Sequence, residues 1–188
     1  KMQYALLGIE LVILLLFAVW ALVRVYTGNG ESYSVVPSLD WLNPFTLDFG
    51  SVIAPAILVA LFIYWGWDTA VAVNEETANP EKTPGRAAVI STLLLLLTYA
   101  IVSVATVAFA GVGDTDLGLA NPENSDDVFN ALGPTVFGDS IIGKGLEILL
   151  ILSVLSSASA STQTTILPTA RTTLAMGAYK AIPSKFAN

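Results

Sequence analysis

The sequence predicts an all-α integral membrane protein with four transmembrane helices. Of its 188 residues, 54% are apolar and only 12% are charged, and the mean hydropathy is positive. A soluble domain of this size needs more charge on its surface. A helix that crosses the roughly 30 Å hydrocarbon core of a bilayer needs about 20 mainly apolar residues. Four long runs of that kind occur in the chain, and each predicts one span.

Each predicted span is built on a stretch with few or no charged residues. The first contains the uninterrupted apolar run 11–23 and a single acid, Glu10. The second has no charge before Asp68, and the third has none at all. The fourth contains the charge-free run 148–170, which is rich in hydroxyl groups. The predicted spans, all within one transmembrane domain over residues 1–188, are residues 3–26, 51–78, 87–112 and 141–176.

The residue types that the chain lacks argue against several classes of function. The chain has no Cys and no His, which excludes disulfides, thiol nucleophiles, imidazole bases and the usual zinc sites. A net charge of −7 without a basic cluster argues against nucleic-acid binding. We therefore expect no metal and no cofactor. Because the first residue is a Lys at the foot of a helix, we expect the chain to be part of a longer protein.

The distribution of basic residues predicts the side of the membrane on which each loop lies. Cytoplasmic loops carry the excess of Lys and Arg. With both ends of the chain in the cytoplasm, only Arg24 and Lys144 lie near the outer ends of helices. This orientation in the cell membrane places loops 27–50 and 113–140 outside. The basic residues on the inside are then Lys1, Lys82, Arg86, Arg171, Lys180 and Lys185.

A short helix is predicted within the second outer loop. The segment Ser125-Asp126-Asp127 offers side-chain oxygens that can cap a helix N-terminus. We expect this helix to run to Leu132 and to end at Gly133-Pro134, because both residues disfavour a helix interior.

The second span carries most of the information about function. Gly66 stands between aromatic residues just before Asp68, about two-thirds of the way along the apolar stretch. A carboxylate at such a depth costs about 2.5–3.5 kcal/mol on insertion scales, so it normally faces a protein interior or a wet cavity. Gly66 weakens the helix and lets another group approach the backbone. A structural role, with tight packing at Gly66 and a paired carboxylate at Asp68, is the alternative.

Two motifs in the chain resemble those of a known family. The first comprises Ile63-Tyr64-Trp65-Gly66-Trp67-Asp68, Glu75-Glu76, Asn79-Pro80, Lys82, Pro84 and Arg86-Ala87. It resembles the sixth-helix signature of the amino acid–polyamine–organocation superfamily. The second comprises Ala170-Arg171, Leu174-Ala175-Met176 and 182–187, and resembles the family pattern that closes helix eight. The resemblance covers the whole chain, as a fragment with family helices five to eight.

The resemblance implies a leucine-transporter-like fold in which the second span is discontinuous. Unwound backbone at the membrane midplane then offers free N–H and C=O groups to a substrate's carboxylate or ammonium. The residues that the resemblance assigns to substrate binding are Phe62, Ile63, Tyr64, Trp65 and Gly66, and Asp68 matches an acidic position near the gate. At the cytoplasmic mouth, salt bridges among Glu75, Glu76 and Arg86 would latch an inner gate. The alternative is a solvated turn, since exposed ion pairs contribute little.

Hydroxyl groups along the fourth span suggest a second functional surface. Ten of the 23 residues from Ile148 to Ala170 are Ser, Thr or Gln. Side chains at 153, 157, 161 and 164 share one helical face, which could line water, substrate or an ion. Hydrogen bonding between helices is the alternative. The resemblance implies that hydroxyls here coordinate sodium in some members, which makes Ser156, Ser157 and Ser161 candidates. Coupling to Na+ or to H+ stays open.

These observations predict secondary active transport of amino acids or related amines by alternating access. The expected partners are the substrate, membrane lipid and the remaining helices of the same full-length transporter, and no nucleic acid. We expect no enzymatic activity. The alternative is a channel-like or regulatory helical bundle in which Asp68 and the hydroxyls serve assembly. A membrane-embedded hydrolase ranks third. Hydrolysis within the membrane would need paired catalytic acids on different helices, and Asp68 with Glu10 is the only pair deep enough to consider.

Overall fold

The structure, a computed structural model, describes residues 2–64 and 77–183. The prediction of an all-α membrane protein is confirmed: the described residues form helices joined by loops and contain no strand. The five α-helices described are α1 (Met2–Tyr26), α2 (Ala54–Ile63), α3 (Thr83–Ala110), α4 (Val128–Phe137) and α5 (Ile141–Ala178). Short 3-10 turns occur at Leu39–Leu42, Pro44–Thr46 and Pro122–Asn124.

Three of the described helices are long and apolar enough to cross a membrane. Their candidate spans are Tyr4–Tyr26, Thr83–Ala110 and Ile141–Ala178. The second predicted span is described only in its first part, as a π-helical turn at Phe49–Ile53 that leads directly into α2. The rest of that span reaches residues 65–76, which lie outside the described residues.

The chain divides into two compact units. The first combines Lys1–Ile53 with Leu96–Ser157, and the second combines Ala54–Leu95 with Ala158–Asn188. The buried Ala, Val, Ile, Leu and Phe side chains of the described residues belong to the first unit: Ile13, Phe17, Ala18, Ala21, Val25, Val102, Ala105, Ala108, Phe109, Ala110, Leu132, Val136, Phe137 and Leu150. The core of this unit therefore draws on α1, on the C-terminal part of α3, on α4 and on the start of α5.

The loop helix α4 packs against α1 through aromatic rings. Phe17 of α1 is fully buried. Its ring meets Phe129 and Phe137 edge to face, with centroids 5.3 Å and 6.1 Å apart. Trp20, one turn further along α1, meets Phe137 at 6.2 Å. Such pairs add about 0.5–1.5 kcal/mol beyond the area they bury, so this cluster anchors α4 on the side of α1.

The predicted start of α4 agrees with the structure, but the predicted end at Gly133-Pro134 is wrong. The Asp127 carboxylate accepts the Asn130 N–H at 3.0 Å and caps the helix. The helix then continues through Pro134 to Phe137 and stops at Gly138, whose φ is +75°. Continuation buries Val136 and Phe137. Pro134 removes only one N–H donor near the helix end, so packing outweighs the cost of the proline.

The loop after α1 supplies partners to the last carbonyls of α3. A helix leaves its final C=O groups without an intrahelical partner. The Ser34 hydroxyl donates to the Phe109 carbonyl at 2.6 Å, and the Val35 N–H donates to the Ala108 carbonyl at 2.8 Å. At Gly111, whose φ is +67°, a Cβ would lie 3.0 Å from the Tyr33 carbonyl oxygen. Glycine at this position therefore permits the close approach of the loop.

Two loop residues, Tyr33 and Asp48, have pKa values shifted from their usual range. Burial raises the pKa of the Tyr33 hydroxyl, and the negative charges of Glu31 and Asp116 raise it further. The pKa of Asp48 is lowered, first by the Ser51 hydroxyl, which donates to its carboxylate at 2.7 Å, and then by the Ser51 N–H at 2.8 Å. Asp48 thus acts as the N-cap of the turn that opens the second span.

We predict that Phe17→Ala in the full-length protein lowers thermal stability far more than Val19→Ala, whose wild-type side chain is 56% exposed in this chain. Truncating a buried Phe costs about 3–5 kcal/mol in the cores of soluble proteins. Loss of Phe17 also removes both edge-to-face contacts with α4. Thermal unfolding in detergent, followed by fluorescence, measures the difference. Equal stability of the two variants would contradict the proposed anchoring of α4.

Candidate functional site

The predicted substrate segment begins at the C-terminal end of α2. Phe62 and Ile63 are the last two residues of this helix, and the Tyr64 N–H still donates to the Ala60 carbonyl at 3.0 Å. The other two predicted substrate residues, Trp65 and Gly66, lie outside the described residues. The structure therefore places the start of the segment in the last turn of a helix.

No residue of α2 is buried in the described structure. Phe62 is 72% exposed and Ile63 48% exposed, whereas Tyr64 is half-buried. A site for a small molecule usually encloses most of its ligand's surface. The described residues do not enclose Phe62 and Ile63. A binding cavity at this segment therefore needs further residues, beyond the described ones, to line it.

Of the four predicted gating residues, the structure describes only Arg86. Asp68, Glu75 and Glu76 lie outside the described residues. Arg86 belongs to the first turn of α3, where its backbone N–H donates to the Lys82 carbonyl at 3.2 Å. Its exposed side chain lines an open cavity of about 600 Å³, together with Asn79, Pro80, Glu81, Lys82 and Thr83. An acidic partner could therefore reach the Arg86 guanidinium from this side.

Most of the hydroxyl groups of α5 donate to carbonyls of their own helix. The Ser153 hydroxyl donates to the Leu150 carbonyl at 2.7 Å, and the Ser156 hydroxyl donates to the Ser153 carbonyl at 3.0 Å. The same pattern, three or four residues back, holds for Thr162, Thr164, Thr165, Thr169 and Thr173. Each of these oxygens keeps lone pairs with which it can accept a hydrogen bond or bind a cation.

The three ion-coupling candidates differ in their surroundings. Ser156 and Ser157 are half-buried in the first unit, and Ser161 is exposed in the second. No hydrogen bond of the Ser157 or Ser161 side chain is found within residues 2–64 and 77–183. Among the half-buried pair, Ser157 therefore has a hydroxyl whose donor is unused by the described residues, which a bound ligand or ion shell could employ.

Sequence reasoning missed a polar contact between α1 and α4. The Arg24 guanidinium donates through Nη1 to the Thr135 carbonyl. It also missed Glu147, half-buried in α5, whose Cγ would lie 3.4 Å from a Cβ placed on Gly133. The signal for Arg24 was a basic residue in the last turn of an otherwise uncharged helix end, but its partner stands 111 residues away and leaves no local pattern.

A family model described as amino acid permease matches residues 1–188, which is the whole chain. No solved structure matches the chain.

We predict that the backbone hydrogen-bond ladder of the second span is interrupted between about Phe62 and Asp68 in the full-length protein. An intact helix has no free carbonyls at this depth to offer a ligand. Gly66 weakens the helix, and Asp68-Thr69 can cap the helix that restarts. In hydrogen exchange on the protein in nanodiscs, amides of 65–68 should exchange faster than those of 56–61. Uniform protection from Ala56 to Val73 would contradict the interruption.

Proposed function

Because the chain belongs to the amino acid permease family of the amino acid–polyamine–organocation superfamily, we propose that it forms part of a secondary active transporter. The transporter moves amino acids or related amines across the cytoplasmic membrane by alternating access. The observation that carries this proposal is the family match over the entire chain, together with an aromatic–Gly–aromatic–acid segment that begins where α2 ends.

The proposed substrate site is the segment Phe62–Gly66. An amino acid carries an ammonium and a carboxylate, which need acceptors and donors respectively. Backbone carbonyls at the end of a helix accept from the ammonium, and N–H groups at the start of the next helix donate to the carboxylate. The aromatic rings of Phe62, Tyr64 and Trp65 would supply the apolar walls. This arrangement recognises the ammonium and the carboxylate, which all amino acids share. Selection among substrate side chains would depend on other contacts.

The walls that α2 lacks are proposed to come from further helices of the same full-length transporter. No residue of α2 is buried in the described structure. A helix that is apolar all round needs either lipid or protein against every face. A substrate segment cannot face lipid, because its free backbone groups need water, protein or ligand. Neighbouring helices are therefore the partners that this segment requires.

The proposed gate lies at the cytoplasmic side, with both ends of the chain in the cytoplasm. Arg86 is exposed at the start of α3 beside the open cavity, where Glu75 or Glu76 could pair with it. Such pairs form in one state of the cycle and break in the other. Asp68 is proposed to act nearer the substrate, where a change of its protonation or of its partner alters access.

Sodium or protons are proposed to drive transport. Sodium prefers a shell of oxygen ligands, which serine hydroxyls and backbone carbonyls can provide. Ser156 and Ser157 are half-buried and adjacent, and Ser161 lies one turn further along α5. Asp68 is the corresponding candidate for protons, because a carboxylate deep in a membrane protein is a frequent proton carrier.

Uptake into proteoliposomes tests the proposed function. The full-length protein is reconstituted and given a panel of radiolabelled amino acids and amines, with a sodium gradient, a proton gradient or neither. Saturable, gradient-dependent accumulation of at least one substrate is expected. Flux that never saturates and never exceeds equilibrium would favour a channel, and no flux at all would favour a regulatory bundle.

We predict that Asp68→Asn lowers uptake at least about tenfold or removes its pH dependence, while the protein still inserts. The expectation rests on the cost of an acid at this depth, which is tolerated only where the acid has a role. Asp126→Asn, at an exposed loop position, is the matched control and should leave uptake unchanged. Initial rates between pH 5 and 8 provide the measurement. Parent-like rates across that range would remove Asp68 from the gate.

We predict that Ser157→Ala raises the sodium concentration needed for half-maximal uptake, and that Ser156→Ala has a smaller effect. The Ser156 hydroxyl is already held by the Ser153 carbonyl, so its oxygen is less free to reorient. Thr162→Ala is the control, because that exposed hydroxyl donates to the Ala158 carbonyl. Sodium titrations of initial rate provide the measurement. Sodium-independent uptake in the parent protein would end this assignment.

A further inference from the structure

Arg24 lies across the C-terminal end of the loop helix α4. Its Nη1 donates to the Thr135 carbonyl in the last turn of α4. Its Nη2 lies 3.9 Å from the position that a Cβ on Gly138 would occupy. The Arg24 side chain is half-buried, and Arg24 itself belongs to the last turn of α1. One guanidinium therefore connects the ends of two helices that are far apart in sequence.

The position of this guanidinium matches the electrostatics of a helix end. The last carbonyls of α4 have no intrahelical partner, apart from the Pro134 carbonyl, which accepts the Gly138 N–H at 2.8 Å. These carbonyls carry the partial negative charge of the helix dipole, which a cation stabilises. No ion pair of Arg24 is found within the part of the chain that the structure describes, so its charge is directed to α4 rather than to a carboxylate.

The loop helix needs such a contact because it is short. α4 has ten residues, and an isolated helix below about 12–15 residues is marginal in water. Its apolar side is held by the aromatic contacts with Phe17 and Trp20 of α1. Its polar end is held by Arg24, which stands one turn beyond Trp20 on the same helix. Both attachments of α4 named here therefore lead to a single helix, α1.

We propose that Arg24 is a positioning residue that fixes α4 to the end of α1, so that the two move together when the transporter opens on that side. This inference rests on the proposed transport function. Arg24 does not belong to the substrate segment, so its loss should slow the conformational step without changing substrate affinity. The turnover number for uptake should fall about tenfold in Arg24→Gln, a loss that lies in the upper range of a charge–dipole contact in a partly buried geometry, while KM stays within about twofold.

Hydrogen exchange of the full-length protein in nanodiscs tests the attachment without requiring transport. In Arg24→Gln, amide protection across α4 should fall about tenfold, while protection of α1 and α3 is unchanged. Lys144→Gln is the matched control. It removes a positive charge from the first turn of α5, where the side chain is exposed, and should change neither protection nor uptake. Arg24→Lys serves as the second variant if Arg24→Gln fails to insert. Because its ammonium lacks the planar guanidinium's set of N–H donors, amide protection across α4 should fall about threefold in this variant.

The outcomes separate this inference from the proposed function. Unchanged α4 protection in both Arg24 variants would overturn it. Equal loss of protection in α1, α3 and α4 would also overturn it, because Arg24 would then be a general folding residue. A raised KM with unchanged turnover would show that Arg24 acts on substrate instead. If the parent protein shows no uptake, the proposed function fails, and the exchange data still decide whether Arg24 holds α4.

Discussion

In a hydrocarbon environment every backbone N–H and C=O must find a partner within the protein, and this constraint organises the structure. Helix interiors meet it by themselves, so the ends of helices are where the sequence must supply something more. At the end of α3, Ser34 and Val35 provide the donors. At the end of α4, the donors are the Arg24 guanidinium and the Gly138 N–H. Loops that look irregular in the sequence, together with one side chain of α1, therefore act as caps in the first unit.

In the proposed substrate segment, a ligand rather than the protein would supply the partners of the backbone groups. α2 ends at Ile63 with apolar residues on every face, and Gly66 and Asp68 follow in the sequence. If backbone groups at this depth are left without protein partners, a ligand with its own donors and acceptors becomes the partner. A zwitterionic amino acid meets this requirement, since its ammonium donates and its carboxylate accepts. The capped ends of α3 and α4 stabilise the first unit, and the backbone groups of the segment Phe62–Gly66 are proposed to bind the substrate.

Long apolar helices can be predicted from the sequence because a span is a local property. A run such as 87–112 has no charge, and no other structure accommodates that composition in a chain of this size. The end of α4 was predicted wrongly because local signals at Gly133-Pro134 were outweighed by burial of Val136 and Phe137. That burial depends on α1, more than a hundred residues earlier in the chain. The contact of Arg24 with α4 could not be predicted for the same reason.

For the candidate site, the sequence predicted residue types and order but not the environment of each side chain. The hydroxyl groups of α5 illustrate how the environment of a side chain escapes such a prediction. Helical periodicity placed Ser153 and Ser157 on one face, but it could not show that Ser153 donates to Leu150, whereas no hydrogen bond of the Ser157 side chain is found within the described residues. A hydroxyl can turn towards its own helix or away from it at little cost. The direction in which the hydroxyl points depends on the groups around it, and helical periodicity does not specify those groups.

The central claim is that backbone carbonyls of residues 63–66 bind the substrate's ammonium. Isotope-edited infrared spectroscopy tests it most directly, with a ¹³C=¹⁸O label placed singly at Tyr64 or Gly66 in the full-length protein and at Ala56 within α2 as the control. A hydrogen bond from a cation lowers the stretching frequency of the carbonyl that accepts it. The account predicts that a transported amino acid shifts the labelled band at Tyr64 or Gly66 and leaves the band at Ala56 unchanged. Saturating substrate without a shift at either label would contradict it.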